Sequence, residues 1–137
     1  MTEEIWTKIP DKDYEASNLG RIRSVDRWRR ATKHGGLRFH KGQILKASID
    51  TGGYPTVTLG KRGQHRVHRL VMLAFVGPCP PGKEVCHQDG VFANVWLDNL
   101  YYGTRKQNIE DAVRHGTAWW LNGTQNPQQN RRPEALD

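Results

Sequence analysis

The chain has 137 residues and is basic, with 21 Lys and Arg against 14 Asp and Glu, a formal net charge of +7 and a pI near 9.7. This length holds one domain of ordinary size or two small modules. No run approaches the roughly 18 apolar residues that span a membrane, and the N-terminus has no signal-peptide pattern. Because two cysteines do not make a secreted disulfide framework, we expect an intracellular, cytoplasmic protein with no membrane partner.

The basic excess lies in one block of the chain. Residues 21–70 hold 13 Lys and Arg against two Asp, whereas the segments on either side hold slightly more acids than bases. A basic block with interleaved aromatic residues suits a polyanion, because Lys and Arg neutralise phosphates. The alternative is a solvated, disordered charge run, and the strand-like alternation of apolar and polar residues argues against it.

The first segment predicts short strands joined by turns. "YEAS" and "RIRSV" are strand candidates on either side of the turn "NLG". In the second strand we expect Ile22 and Val25 to face the core. Arg21 and Arg23 then share the opposite face, where they are candidates for contacts to DNA phosphates.

The middle of the chain predicts a loop followed by more strands. "RWRRATKHGGLRFHKG" predicts a mobile basic loop, although we expect Trp28 in the core because a small core needs its aromatic residues. "QILKAS" and "YPTVTL", joined through "DTGG", predict a β-hairpin, and "GKRGQ" predicts another tight turn.

Two helices follow from spacing and capping. From Val67 the apolar residues recur at i, i+3, i+4, i+7 and i+8, and "GPCPPG" ends this pattern. "RKQNIEDAVRHG" predicts a second helix, with Thr104 as its N-cap and Gly116 as its stop. The polar tail, residues 119–137, is predicted to be flexible.

Between the helices, "EVCHQDG" and "NVWLDNLYYGTRKQN", together with "VHRLVMLAF", resemble HNH nucleases of the homing-endonuclease type, common in phages and mobile introns. The segment "EEIWTKIPDKDYEASNLGRIRSVDR" resembles the small nuclease-associated module that often precedes them. The resemblance implies an α+β fold. It places a basic N-terminal β module at residues 1–63 and a ββα-metal nuclease module at 64–118.

The resemblance also assigns roles by position. His87 on the first strand of the ββα unit would be the general base, and Asn99, 12 residues on and expected on the second strand, would hold the loop across the hairpin. Asn108, 21 residues after His87, would be a metal ligand, giving a His-Asn-Asn variant. The chemistry fits, because a neutral His can take a proton from water near pH 7 and one divalent ion can clamp the scissile phosphate.

The departure from the family is Cys86, at the place where an oxygen or nitrogen ligand usually precedes the catalytic His. A thiol suits Mg²⁺ poorly. Either Asn108 and the phosphate hold the ion, Mg²⁺ or Mn²⁺, or Cys86 helps to bind a softer ion. A third reading makes Cys86 a buried hydrophobic residue in a weak or inactive site.

Other polar residues have more ordinary readings. We expect Asp89 to bond the backbone of the turn rather than metal, Asn94 to serve the same turn, and His68 to pack near the hairpin. A second set of residues, with surface solubility as the alternative, could contact DNA phosphates: Arg69, Arg105 and Lys106.

These features predict a metal-dependent endonuclease that nicks or cleaves double-stranded DNA in a phage-infected cell, as a monomer or a homodimer. Two alternatives stay open. One is a DNA-binding protein that keeps the fold but has lost catalysis through Cys86. The other is an accessory nuclease of phage DNA packaging that acts with a terminase.

Overall fold

Small antiparallel sheets and two helices form the described part of the chain in the computed structural model, which covers residues 3–116 apart from Thr32 and His34. The predicted flexible tail lies outside the described residues. The strands are β1 (Trp6–Lys8), β2 (Tyr14–Ser17), β3 (Ile22–Ser24), β4 (Arg27–Arg30), β5 (Leu37–His40), β6 (Ser48–Ile49), β7 (Pro55–Thr58), β8 (Gln64–Arg66), β9 (Lys83–His87) and β10 (Leu100–Thr104). The helices are α1 (Val67–Phe75) and α2 (Arg105–Arg114). This confirms the α+β class.

The first sheet, in the order β1-β2-β3, confirms the two predicted strands. Ile22 is buried, but Ser24 rather than Val25 takes the second inward position, because residues two apart share a face of a strand. Gly20, at φ +88, turns the chain between β2 and β3, and a Cβ there would lie 2.7 Å from Cγ2 of Val95. The N-terminal sheet therefore packs directly against the loop that precedes β10.

The predicted mobile basic loop is instead a hairpin of β4 and β5, so that expectation was wrong. The placement of Trp28 in the core was wrong too, since its side chain is 64% exposed. In the described part of the chain these two strands pair only with each other. A two-stranded ribbon with no sheet or helix behind it has no interior in which to bury an indole.

The third sheet, β6-β7-β8, contains the predicted hairpin and the predicted tight turn. Asp50 closes the hairpin turn, because its Oδ1 accepts hydrogen bonds from the backbone N–H groups of Gly52 and Tyr54, both at 2.9 Å. Its Oδ2 binds Nε of Arg66 at 2.9 Å, and the Arg66 guanidinium lies over the Tyr54 ring. The turn thus fixes two side chains that face the site described below.

Helix α1 confirms the predicted apolar face, with Val67, Leu70 and Val71 buried. Around it one cluster of buried side chains draws on both halves of the chain: Ile9, Tyr14, Ala16, Ile22, Val57, Leu59, Met72, Val95 and Leu100. The proposed module boundaries at residues 63 and 118 stay a prediction.

The last unit is an antiparallel pair of strands followed by a helix. β9 and β10 pair with Leu100 opposite His87 and Thr104 opposite Lys83. Thr104 caps α2 as predicted, in a capping box with Gln107, and Gly116 follows the helix at φ +70. This register places the start of α2 beside the start of β9, whereas His115, just after α2, lies against Gly90 in the loop that follows His87.

Within the described ranges, no helix is long and apolar enough to cross a membrane.

Candidate active site

His87, the last residue of β9, is 2% exposed and surrounded by rings. Its ring centroid lies 5.2 Å from that of His68, 5.5 Å from Phe92 and 6.1 Å from Tyr54. The imidazole bonds the backbone of Phe92, whereas its Nε2 has no hydrogen-bond partner among the described residues. Burial lowers the pKa of His87 to about 4, against the raising effects of Asp89 and of the Phe92 bond. The ring is therefore neutral at pH 7, with one nitrogen free to accept a proton.

Asn99 is 5% exposed and locks the loop that follows His87. Its Nδ2 donates to Oδ1 of Asp89 at 2.9 Å and to the carbonyl oxygen of Asn94 at 2.8 Å. Its Oδ1 accepts from the Asp89 backbone N–H at 3.1 Å, and its carbonyl accepts from that of Gln88 at 2.8 Å. Asn99 lies in the short 3₁₀ turn before β10, not on the strand as expected.

Both carboxylate oxygens of Asp89 accept hydrogen bonds within this loop. Its Oδ1 also accepts from the backbone N–H of Val91 at 2.9 Å, and its Oδ2 accepts from Nδ2 of Asn94 at 2.7 Å. Both carboxylate oxygens therefore hold the turn. This arrangement matches the turn role expected for Asp89 and Asn94.

Cys86 points away from His87, because neighbouring residues of a strand face opposite sides. The side chain is fully buried and lies against β10, where a Cβ added to Gly103 would be 3.0 Å from Sγ. Burial raises the pKa of the Cys86 thiol to about 11. The protonated thiol is a poor ligand for Mg²⁺, and the side chain packs as a small hydrophobic residue.

Asn108, on α2, instead meets a carboxylate. Its Nδ2 donates a 2.6 Å hydrogen bond to Oε1 of Glu84, which lies two residues before Cys86 on β9. Both Asn108 and Glu84 line a cavity of 740 Å³ between α1, β9 and α2. Sequence reasoning missed Glu84. The available signal was its position two residues from Cys86, on the same face of the strand.

The wall of this cavity is mainly basic and aromatic. Its cations are Arg69 and Arg105, two of the predicted phosphate contacts, together with Lys83 and Arg66. Arg66 was missed, although it lies three residues before Arg69 at the start of a predicted helix.

A stack of three rings forms another part of the wall. Tyr54 lies between His68 and Phe92, with centroid separations of 5.0 and 4.3 Å. His87 does not itself line the cavity and lies behind this stack. His68 is 4% exposed, and its Nδ1 has no hydrogen-bond partner among the described residues. It therefore packs near the hairpin, as expected, and also faces the cavity.

The remaining candidates lie elsewhere. Lys106 does not line the cavity, and its side chain is 86% exposed and 3.9 Å from Glu110. Arg21 forms an ion pair with Glu4, and Arg23 binds Glu15 at 2.9 Å. Both guanidinium groups of the N-terminal sheet also lie over the ring of Trp6. The structure thus gives each of these three cations an acidic partner.

The fold and the site together define a ββα unit, with its His at the end of the first strand, preceded in the chain by a small β module. Residues 4–60 match the family described as NUMOD4 motif, and residues 65–109 match the family described as HNH endonuclease. The chain therefore carries a NUMOD4 motif followed by a segment that matches the HNH endonuclease family. This confirms the resemblance found in the sequence.

One relative is DNA endonuclease I-HmuI of Bacillus phage SP01, which is 32% identical over 107 residues, covering 76% of this chain and 53% of the relative. The chain thus spans about half the length of that curated relative. A solved structure titled "DNA binding and cleavage by the HNH homing endonuclease I-HmuI" is 31% identical with a TM-score of 0.61. That match covers 82% of this chain and 60% of the other.

Proposed function

We propose that this protein is a metal-dependent endonuclease that nicks or cleaves double-stranded DNA by hydrolysing a phosphodiester bond. The observation that carries the proposal is the state of His87. One side of its ring bonds the Phe92 backbone, Nε2 is unpartnered among the described residues, and burial keeps the ring neutral. A general base must be unprotonated at the working pH and must have a ring nitrogen that can accept a proton. The named activity of the relative, a DNA endonuclease, supports the same proposal.

In this proposal His87 takes the proton of the attacking water at Nε2. His68 is placed to help, because its ring lies 5.2 Å from that of His87 and also faces the cavity. Nδ1 of His68 and Nε2 of His87 both lack a partner among the described residues, so each is available to bond a water molecule, and His68 connects the His87 ring to the cavity. A buried ring nitrogen without a hydrogen bond destabilises the fold by about 1–3 kcal/mol. Two such nitrogens side by side therefore indicate a site that binds water or substrate. Asn99 holds the loop and with it the backbone that orients His87.

The scissile phosphate would lie in the basic cavity. Arg69 and Arg105 line it, and neither forms an ion pair with another described residue. Arg66 also lines it, with a charge that is partly offset by the ion pair with Asp50. Fixed cations stabilise the charge that builds on the phosphate oxygens in the transition state. Lys106, Arg21 and Arg23 are proposed as weaker contacts, because each has an acidic neighbour.

The family implies a divalent metal ion, and the oxygen groups on the cavity wall fit one. Asn108 and Glu84 would hold it, since carboxylate and amide oxygens suit Mg²⁺ and Mn²⁺. Cys86 does not fit, because its thiol is buried on a strand face packed against Gly103. When bound, the ion supplies charge stabilisation for the phosphate and the leaving 3′ oxygen.

The test is cleavage of supercoiled plasmid by the wild type and by His87→Ala, each with Mg²⁺, Mn²⁺ or EDTA. His65→Ala, which alters a histidine on β8 that does not line the cavity, serves as the matched control. We expect nicked or linear product from the wild type and the control with metal, and none from His87→Ala even though it still binds DNA. Equal cleavage by His87→Ala would rule out the assigned base.

One observation favours a second candidate, a DNA-binding protein without catalysis. Cys86 is buried where the family places a ligand, so an ion held by too few groups could leave the site inactive. DNA binding without cleavage in any divalent ion would support it. The oligomeric state and a terminase partner stay predictions.

A further inference from the structure

Helix α2 packs on the β9–β10 hairpin through little apolar surface. Of its ten residues only Asp111 and Ala112 are buried, whereas Ile109 and Val113 are 38% and 55% exposed. Burying one alanine methyl contributes far less than burying the apolar stripe by which a surface helix usually docks. Hydrophobic packing therefore does not by itself fix how α2 lies on the hairpin.

Side-chain hydrogen bonds join α2 to each of the two strands. Nδ2 of Asn108 donates to Oε1 of Glu84 on β9 at 2.6 Å. The hydroxyl of Tyr101 on β10 donates to Oδ2 of Asp111, and Oδ1 of Asp111 accepts from Arg114. Asn108 and Asp111 are three residues apart and so share one face of the helix. The same face of α2 is thus bonded to both strands.

The face of the hairpin beneath α2 leaves room for this contact. Tyr101 lies opposite Cys86, and cross-strand partners share a face of the sheet. A Cβ on Gly103 would lie 2.7 Å from Cε2 of Tyr101 and 2.9 Å from Oε1 of Gln107. The missing side chain at Gly103 therefore makes space for both the Tyr101 ring and the first turn of α2.

Asp111 is a carboxylate in a place where an unpaired charge would be costly. It is 7% exposed, and its partners are the Tyr101 hydroxyl and Arg114. Burial raises the pKa of Tyr101, so the phenol stays protonated and donates at neutral pH. An apolar side chain would pack here without the desolvation that a carboxylate requires. The hydrogen bond adds what an apolar contact lacks, which is a defined direction and length.

The C-terminal end of α2 reaches the loop that follows the candidate base. A Cβ on Gly90 would lie 2.8 Å from Cβ of His115, and the Gly90 N–H donates to the His87 carbonyl at 3.0 Å. Asp111 lies between Asn108 and His115 in the chain. One helix therefore connects Asn108 with the His87 loop, and Asp111 anchors it between the two.

We propose that Asp111, together with Tyr101, is a positioning residue that sets the rotation and depth of α2 on the hairpin and so holds Asn108 at the metal site. Neither Asp111 nor Tyr101 lines the cavity, so their effect acts through Asn108. The inference rests on the proposed function, since it assumes that Asn108 and Glu84 hold a divalent ion. It adds to that function the contact that keeps the metal-binding side chains together.

The experiment titrates the full chain with Mn²⁺ by calorimetry and measures plasmid cleavage over a range of Mn²⁺ concentrations. Tyr101→Phe keeps the ring and removes only the hydroxyl, whereas Asp111→Ala removes the acceptor. Asp111→Asn keeps an oxygen that can accept from the hydroxyl and loses the charge. Circular dichroism and thermal unfolding check that each variant is folded at the temperature of the titration.

Two controls separate positioning from stability and from charge. Thr56→Val removes another buried hydroxyl, which lies 3.2 Å from Oγ of Ser48 in the third sheet. Arg114→Ala removes the other partner of Asp111, at a side chain that is 67% exposed, and leaves the bond to Tyr101 in place.

We expect Tyr101→Phe and Asp111→Ala to bind Mn²⁺ at least roughly tenfold more weakly, as when a group that orients a metal ligand is removed. The Mn²⁺ concentration for half-maximal cleavage should rise by the same factor, while the rate at saturating Mn²⁺ stays within about twofold of wild type. Asp111→Asn should bind Mn²⁺ within about threefold of wild type, because it keeps the hydrogen bond. Both controls should bind it within about twofold, even where the fold is less stable.

If Tyr101→Phe and Asp111→Ala lost stability but kept the Mn²⁺ affinity of the wild type, the pair would be structural only. That result would overturn the inference and leave the proposed function standing. Equal weakening by Asp111→Asn and Asp111→Ala would also overturn it, because the charge and not the hydrogen bond would then act on the ion. A wild type that neither binds Mn²⁺ nor cleaves plasmid with it would instead overturn the proposed function.

Discussion

Asn108 on α2 and Glu84 on β9 are joined by a 2.6 Å hydrogen bond in which the amide nitrogen donates to the carboxylate. The bond fixes which way the amide faces and leaves Oδ1 of Asn108 for another partner. It also brings a negative charge into a cavity whose other charged groups are cations. A carboxylate beside a neutral amide oxygen is a suitable binding site for a hard divalent ion.

Replacing Glu84 with Gln should weaken Mn²⁺ binding by roughly 10- to 100-fold, because the negative charge is lost and the hydrogen bond that orients Asn108 becomes a weaker neutral one. Calorimetric titration of the full chain with Mn²⁺ measures this without any need for activity. Cys86→Ala should bind Mn²⁺ like the wild type. Glu110→Gln, at an exposed acid on α2, is the control. If Cys86→Ala lost Mn²⁺ binding and Glu84→Gln kept it, the metal ligand would be the thiol and not the carboxylate.

The acid limb of the cleavage rate should lie below pH 6.5. Burial lowers the pKa of His87 from its ordinary 6.5 to about 4, so the ring stays neutral and able to accept a proton at mildly acidic pH. Single-turnover rates between pH 4.5 and 8, measured with saturating Mn²⁺, should therefore show no loss at mildly acidic pH. A midpoint at pH 7 or above would mean that another group controls the rate.

Stability should fall as the pH falls below 6.5. The pKa values of His87 and His68 are both lowered by burial, so below pH 6.5 the unfolded chain binds more protons than the folded one. The free energy of unfolding therefore rises with pH from about 4 to 6.5 and is level above that. His87 alone accounts for about 3 kcal/mol of this change. Urea unfolding at pH 4.5, 5.5, 6.5 and 7.5 tests it, and a flat profile would contradict the burial of both rings.

Replacing His68 with Phe should separate stability from activity. The ring would keep its stacking on Tyr54 and lose a buried nitrogen that has no partner among the described residues. Unfolding free energy at pH 7 should therefore stay level or rise. The cleavage rate should fall at least roughly tenfold with little change in DNA affinity, if His68 helps to hold the attacking water. Undiminished cleavage would make His68 a packing residue only.

Asn99→Ala should damage both the fold and the turnover. It removes the side-chain bonds to Asp89 and Asn94 and leaves buried partners unsatisfied, which should cost roughly 2–4 kcal/mol. Chemical denaturation measures the loss of unfolding free energy. Plasmid cleavage, at a temperature at which the variant stays folded, measures the effect on the rate. Thr104→Ala removes the cap of α2 and should cost only about 1 kcal/mol, so it serves as a comparison.

The hairpin of residues 27–40 marks one limit of what the sequence could predict. Its alternating Arg and aromatic residues fit a strand, but Gly and charge density also fit a mobile loop. Whether this segment forms a hairpin or a loop depends on the backbone hydrogen bonds by which Gln43 and Leu45 pair with β3. These bonds join residues that are about 20 positions apart in the chain. The same long-range pairing decides that Trp28 is exposed.

The sequence by itself determined the fold class, helices α1 and α2, and the elements that carry His87 and Asn108, because periodicity, caps and motif spacing are local properties of the chain. Only the tertiary structure decided which groups meet. Strand alternation places Glu84 and Cys86 on one face of β9, but the packing of α2 brings Asn108 to Glu84 and leaves Cys86 buried against β10. Such contacts depend on how separate elements dock. That docking is set by the whole core, and no short stretch of sequence records it.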